Sequence, residues 1–243
     1  MTLRCLVTGS TGYVGGRLVR ELVGRGHNVR VLVRSPEKMR DFPWADQIEV
    51  IAGDANDSDD LTRAMESIDV AYYLMHSLQE GSRLEEAETQ MARTFAAAAG
   101  ESSLRRIVYL GGLAPDVPER DMSPHMRSRV RVGQILRASG IPTVEFRAAV
   151  IIGSGSASFE MLRYLTERLP AMITPRWVRT KTQPIAVRDV LRYLVMAADL
   201  PPSVNREFDI GGPEVLTYEQ MMHRYAAVAG LRKRIILPIN LLS

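Results

Sequence analysis

Strand-like and helix-like stretches alternate along the whole chain, and the first such change is broken by closely spaced glycines. The length of 243 residues suffices for one full α/β core plus a small lobe. Together these observations predict an α/β fold built on a doubly wound parallel sheet, with a small C-terminal lobe.

The opening stretch carries most of that reading. Leu3, Cys5, Leu6 and Val7 form a short apolar run, as a buried strand does. It breaks into Gly9-Ser10-Thr11-Gly12-Tyr13-Val14-Gly15, after which Val14, Leu18 and Leu22 recur at helical spacing. Strand, glycine-rich turn and helix form the context of a dinucleotide-binding fingerprint. Gly9 suits the tight turn, Gly12 leaves room for a pyrophosphate, and Gly15 lets the helix pack closely. The helix N-terminus then offers N–H groups and a positive dipole end to phosphate. An NTPase loop would need Gly-Lys-Ser/Thr; the chain has Gly15-Gly16-Arg17.

The spacing Thr8-Gly9-x-x-Gly12-x-x-Gly15 resembles the opening of the extended and atypical short-chain dehydrogenases/reductases, a group that includes NmrA-like and nucleoside-diphosphate-sugar epimerase-like proteins. The resemblance implies a Rossmann fold that binds NAD(P)(H), with a C-terminal lobe covering the substrate.

Further elements follow in order. Gly24-Arg25-Gly26 ends the first helix, and Asn28 to Arg34 alternates as a second strand. An NAD site places a carboxylate at that strand end for the ribose hydroxyl; here Arg34 and Ser35 stand there. A guanidinium grips a 2′-phosphate with charge-assisted bonds worth about 1.5–3 kcal/mol each, which favours NADP(H) over NAD(H). The competing reading is a solvated arginine. Ser35-Pro36 reads as an N-cap with proline at the first helical position of a short helix through Arg40. Ile48 to Ile51 is a third strand ending in Gly53-Asp54, and the resemblance places Asp54, with Ala55 beside it, at the adenine. Ser58-Asp59-Asp60-Leu61 reads as the cap of the next helix, and Val70 to Met75 reads as a buried fourth strand. Ligands of doubly wound sheets lie beyond such strand ends, so Met75, His76 and Ser77 border the nicotinamide ribose, unless His76 is an ordinary loop histidine. Leu84, Met91, Phe95 and Ala98 stripe a long helix to Gly100, and Arg106 to Leu110 is a fifth strand running into Gly111-Gly112.

Here the resemblance makes a demand that the chain does not meet. Competent members place a serine after this strand and Tyr-x-x-x-Lys in the next helix. Gly111, assigned to the cofactor, and Gly112 stand where the serine belongs, and Tyr-x-x-x-Lys occurs nowhere. His125 and Arg129 have the same four-residue spacing in the corresponding segment. They form a candidate substitute pair, with histidine as general acid and arginine stabilising an oxyanion. The alternative is a surface helix with a solvated face of Arg127, Arg129 and Arg131.

Gly140-Ile141-Pro142 leads into a sixth strand between Thr143 and Ile152. Phe146-Arg147 through Gly153 resembles the family's nicotinamide-lining Leu-Arg-Pro…Gly segment, with Arg147 and Gly153 matching and Ala148 replacing the proline. Gly153 to Ser156 reads as a flexible loop, Phe159 to Leu169 as a helix, and Trp177 as a lid residue or substrate platform. Glu207 to Gly212 and the helix capped by Thr217 complete the resemblance. Residues 153–183 and 211–243 are expected to form the substrate lobe of a single 1–243 domain. The apolar ending Ile235 to Leu242 suggests docking onto a further C-terminal domain or another chain.

Composition bounds the rest. A formal charge of +3 is too small to argue for nucleic acid, and no apolar run is long enough to span a membrane. The lone Cys5 and four scattered histidines exclude an internal disulfide and any evident metal site. With no signal peptide before the first strand, a cytoplasmic location is expected. The sequence therefore favours an NADPH-dependent reductase of a small carbonyl or quinone, leaving room for a homo-oligomer. A non-catalytic NADP(H) redox sensor or assembly factor stands second, and a sugar-nucleotide epimerase third.

Overall fold

The computed structural model describes residues 1–76 and 82–239. In chain order the elements are β1 (Arg4–Thr8), α1 (Tyr13–Gly24), β2 (Asn28–Val33), β3 (Glu49–Ala52), α2 (Ser58–Met65) and β4 (Val70–Tyr73). Next come α3 (Ser82–Gly100), β5 (Arg106–Gly112), α4 (Pro124–Arg137), β6 (Thr143–Ala148), β7 (Ile151–Ile152) and α5 (Ala157–Arg168). The chain ends with β8 (Ala171–Pro175), β9 (Lys181–Thr182), β10 (Ile185–Ala186), α6 (Val187–Ala197), β11 (Arg206–Ile210), β12 (Leu216–Thr217), α7 (Tyr218–Val228) and β13 (Ile235–Ile239).

Seven strands form one sheet in the order β11-β6-β5-β4-β1-β2-β3. β1 pairs in parallel with β2 and β4, β2 with β3, and β4 with β5. The order reverses on either side of β1, so the ends of β1 and β4 flank the switch point where such sheets bind ligands. This is the doubly wound, Rossmann-like architecture expected from the alternating pattern.

The chain divides into two compact units. The first comprises Met1–Arg147 and Leu191–Asp209, the second Ala148–Val190 and Ile210–Ser243. In the first unit, one face of the sheet is covered by Leu61, Met65, Phe95, Val132 and Leu136, packed on Tyr73, Ile107 and Tyr109. Tyr73 meets Phe95 and Tyr109 edge-on, with centroids 4.9 and 5.7 Å apart. Such pairs add about 0.5–1.5 kcal/mol to what their burial contributes. The second unit has its own core of Leu162, Met172, Val178, Met221, Met222 and Ile236. Thr217 and Gln220 cap α7 reciprocally, as the Thr-x-x-Gln spacing allows.

Some local expectations shift. Asp57, not Ser58, caps α2, because its carboxylate reaches the N–H groups of Asp59 and Asp60 at 2.9 and 3.0 Å. Ser35 caps nothing, and Pro36–Met39 is a single 3-10 turn. The Gly153–Ser156 stretch is a bonded turn: Ser156 N–H donates to the Gly153 carbonyl and Gly155 N–H to Glu160. Among the described residues no helix is long and apolar enough to cross a membrane.

Candidate active site

The glycine loop leaves β1 with Gly9 at φ +74°, a region an L side chain avoids. A Cβ on Gly9 would lie 2.7 Å from the Leu74 carbonyl carbon, and one on Gly15 would lie 2.8 Å from the Gly9 carbonyl carbon. At Gly12 a Cβ would meet only the Gly9 carbonyl oxygen, at 3.2 Å, so its outer side is open. Gly9 and Gly15 therefore shape the turn, while Gly12 allows approach to it. Gly12 N–H donates to the Gly9 carbonyl at 3.0 Å. Gly12 caps α1 with no side-chain bond, and no acidic residue occupies the helix's first turn, so the positive dipole end is uncompensated. These features fit a pyrophosphate. Ser10 is buried with its hydroxyl toward Met39, Thr11 is exposed, Val14 is half-buried, and the Arg17 guanidinium lies 4.0 Å from the Tyr13 ring centre.

Arg34 stands exposed at the end of β2, and no hydrogen bond or ion pair among the described residues engages it. Asp54, after β3, is held firmly. Its N–H donates to Asp60 at 2.8 Å, and one of its oxygens accepts from the Asn56 N–H and side-chain amide, both at 2.9 Å. Ala55 packs against the core beside it.

Beyond β4, Met75 packs on the core and His76 meets Arg129, whose Nη2 contacts Nδ1 and lies 3.1 Å from Nε2. Ser77 lies outside the described residues. The arginines of α4 do not share one solvated face: Arg127 pairs with Glu85 at 3.2 Å and Arg131 with Glu85 at 3.7 Å, whereas Arg129 is buried. Arg129 has no carboxylate within ion-pair distance among the described residues. Its backbone carbonyl accepts from the Tyr109 hydroxyl at 3.3 Å. The neighbouring Ser128 donates to Glu88 on α3, both side chains buried, which ties the two helices together.

His125 sits exposed in the first turn of α4. Desolvation by the packing around it, then Arg129, lowers its pKa. The same causes, with His125 added, push His76 down to about 3, although the residue is exposed. At neutral pH both imidazoles are therefore neutral, each with one donor and one acceptor nitrogen, and Arg129 supplies the positive charge. With its pKa lowered, His125 would meet an acceptor as a neutral N–H donor.

Gly111 and Arg147 stand differently from the other cofactor candidates. A Cβ on Gly111 would lie 2.8 Å from Glu145 Oε1, so the Glu145 carboxyl fills the space a side chain there would take. Burial pushes that carboxyl up to about 7 against the pull of Arg137, with which it is paired. The Arg147 guanidinium is engaged by Asp209 at 2.6 Å, which raises its pKa. Sequence reading missed Glu145 and Glu88. The only available signals were a charged residue in the apolar run Val144 to Phe146, and Gly133 inside a helix.

The sequence model of the NAD(P)H-binding family matches residues 9–151, and the chain belongs to that family. The match agrees with the resemblance to atypical short-chain dehydrogenases/reductases, as does 33% identity over 115 residues, 44% of this chain and 32% of the relative, to a putative dihydroflavonol 4-reductase of Synechocystis. The chain is 41% identical over 70 residues to the 3 beta-hydroxysteroid dehydrogenase/Delta 5→4-isomerase of Mycobacterium tuberculosis, covering 29% of this chain and 18% of that one. It is 27% identical over 225 residues to the 4-hydroxy-2-methyl-3-oxo-4-farnesyl-3,4-dihydroquinoline-1-oxide ketoreductase of Stigmatella aurantiaca, covering 82% and 66%. The match to the Mycobacterium tuberculosis enzyme thus spans under a fifth of that relative. The crystal structure of the UDP-N-acetylglucosamine 4-epimerase from Bacillus cereus shares the fold, with a TM-score of 0.78 at 17% identity over 98% of this chain and 86% of that one.

Proposed function

We propose that this chain is an NADPH-dependent reductase of a small carbonyl or quinone, working without the Ser-Tyr-Lys set. The observation that carries the reading is a buried guanidinium, Arg129, with no carboxylate partner among the described residues, beside His76 and His125 at the switch-point end of the sheet. The backbone of Gly9 to Gly15 holds the pyrophosphate. Arg34 and Ser35 take the 2′-phosphate, Asp54 and Ala55 the adenine, and Met75, His76 and Ser77 the nicotinamide ribose. Bound NADPH supplies the hydride.

Arg129 holds the negative charge that grows on the substrate oxygen, fixed by its burial and by the Ser128–Glu88 tie. A preorganised donor of this kind contributes about 2.7–4 kcal/mol to lowering a barrier. The neutral His125 N–H, or water, delivers the proton to that oxygen. A quinone asks least of a proton donor, since its reduced oxygen is a weak base. The second unit serves substrate selection, and the relatives named as dehydrogenase and ketoreductase support a carbonyl acceptor.

A binding protein that holds NADP(H) without turnover is the second reading, favoured by Glu145 filling the space at Gly111. Following NADPH oxidation against a panel of quinones, enones and ketones separates the two. Turnover that Arg129→Met abolishes supports the reductase. No turnover, together with a strong difference between NADPH and NADP+ affinity, supports the sensor.

A further inference from the structure

The second unit carries an apolar face that the reductase reading does not use. β8 and β13 run side by side in parallel, with Ile235 opposite Ala171 and Leu237 opposite Ile173. Met172 and Ile236 turn into the core. By strand alternation Ala171, Ile173, Ile235 and Leu237 turn outward, and Ile173, Ile235 and Leu237 are 66%, 59% and 56% exposed. Isolated exposed apolar residues are ordinary; a contiguous ribbon of them marks a contact surface.

Cations dominate the segments that lead into and out of this ribbon, and the acids beside them are engaged, Glu167 by Tyr225 and Glu219 by Arg179. No Asp or Glu occurs between Arg168 and Arg188, and none after Glu219. Because the strands are parallel, Arg232 and Lys233 lie at the end where β13 begins, and Arg176 and Trp177 follow β8 at the opposite end. Arg176, Arg232 and Lys233 are exposed and enter no ion pair among the described residues. Arg234, in contrast, turns inward to the Thr166 carbonyl at 2.7 Å. Trp177 is half-exposed, with its ring edge-on to Tyr218 at 5.3 Å.

We infer that this ribbon docks on an anionic bilayer surface, with Ile173, Ile235 and Leu237 at the headgroup–acyl boundary and Arg176, Arg232 and Lys233 on lipid phosphates. An apolar face, flanking cations and a tryptophan that is apolar in body and polar at its N–H are the components of interfacial binding. A nucleic acid offers no apolar phase to Ile173 and Leu237. Two copies pairing through this face would bring unpaired cations against one another. The inference does not depend on the reductase reading.

Sedimentation of the full chain with vesicles tests it, using phosphatidylcholine alone and phosphatidylcholine mixed with phosphatidylglycerol. Binding about tenfold or more stronger to the anionic vesicles is expected, weakening with salt. Trp177 emission should shift to the blue on binding, while that of buried Trp44 stays put. Ile173→Ser with Leu237→Ser should weaken binding about tenfold, and Arg176→Gln with Lys233→Gln should remove the lipid preference. Far-UV circular dichroism and the melting temperature report folding of each variant; Ile173→Thr replaces any serine variant that fails this check. Protein left in the supernatant with both vesicle types overturns the inference. So does a stable dimer that Leu237→Ser dissociates.

Discussion

Arg129 is the residue on which the proposed chemistry turns. Arg129→Met should lower kcat about 10²–10³-fold with a smaller change in NADPH affinity, and Arg129→Lys should restore part of the rate. Steady-state kinetics on the first acceptor found checks both. Arg34→Asp should erase or invert the preference for NADPH over NADH, a change of about tenfold or more in the ratio of dissociation constants measured by calorimetry. An unchanged ratio would mean that Arg34 is merely solvated. Glu145 makes a claim about pH. Its folded-state pKa, raised to about 7, means that the native state holds a proton the unfolded chain has already released. Its contribution is therefore complete below the ordinary carboxyl value and is lost as pH rises toward about 7. The depressed histidines act oppositely, costing stability as pH falls below their ordinary value of 6.5. Melting temperatures of Glu145→Gln should lose the first slope and keep the second.

Among the elements, α4 is the most constrained. Gly133 lies in its interior, where replacement by alanine ordinarily stabilises a helix by about 1 kcal/mol. Here a Cβ would fall 2.6 Å from Glu145 Cδ, and Arg137 and Gly111 leave the carboxyl little room to move. Gly133→Ala should therefore destabilise by about 1–3 kcal/mol, and Glu145→Ala in the same chain should recover much of the loss. Denaturant unfolding of the four chains of that double-mutant cycle measures the coupling. Part of α4 was legible in the sequence: the four-residue spacing of His125 and Arg129 and the Gly140-Ile141-Pro142 break beyond its end are local signals. That Arg129 is buried while Arg127 and Arg131 stay nearer the surface was not legible. It depends on where α3 places Glu85 and Glu88.

For the molecule as a whole, the glycine cradle at the switch point predicts stabilisation by ligand. A nucleotide present at about a hundred times its dissociation constant should add about 2.7 kcal/mol, visible as a raised melting temperature with NADP(H) and a smaller rise with NAD(H). No rise with either oxidation state of either nucleotide would remove the basis for every catalytic assignment.

By itself the sequence determined the strand–turn–helix opening, the alternation that builds a doubly wound sheet, and the residues standing at the carboxyl ends of β2, β3 and β4. Each is written in the spacing of glycines or in apolar periods of a few residues, and a local pattern needs no distant partner to be read. Only the tertiary structure decided that His76 meets Arg129 across 53 positions, that Ser128 finds Glu88 across 40, and that Glu145 takes the space beside Gly111. Those contacts come from how the helices pack on the sheet. Burial there turns a surface-looking arginine into the charge at the centre of the proposed site.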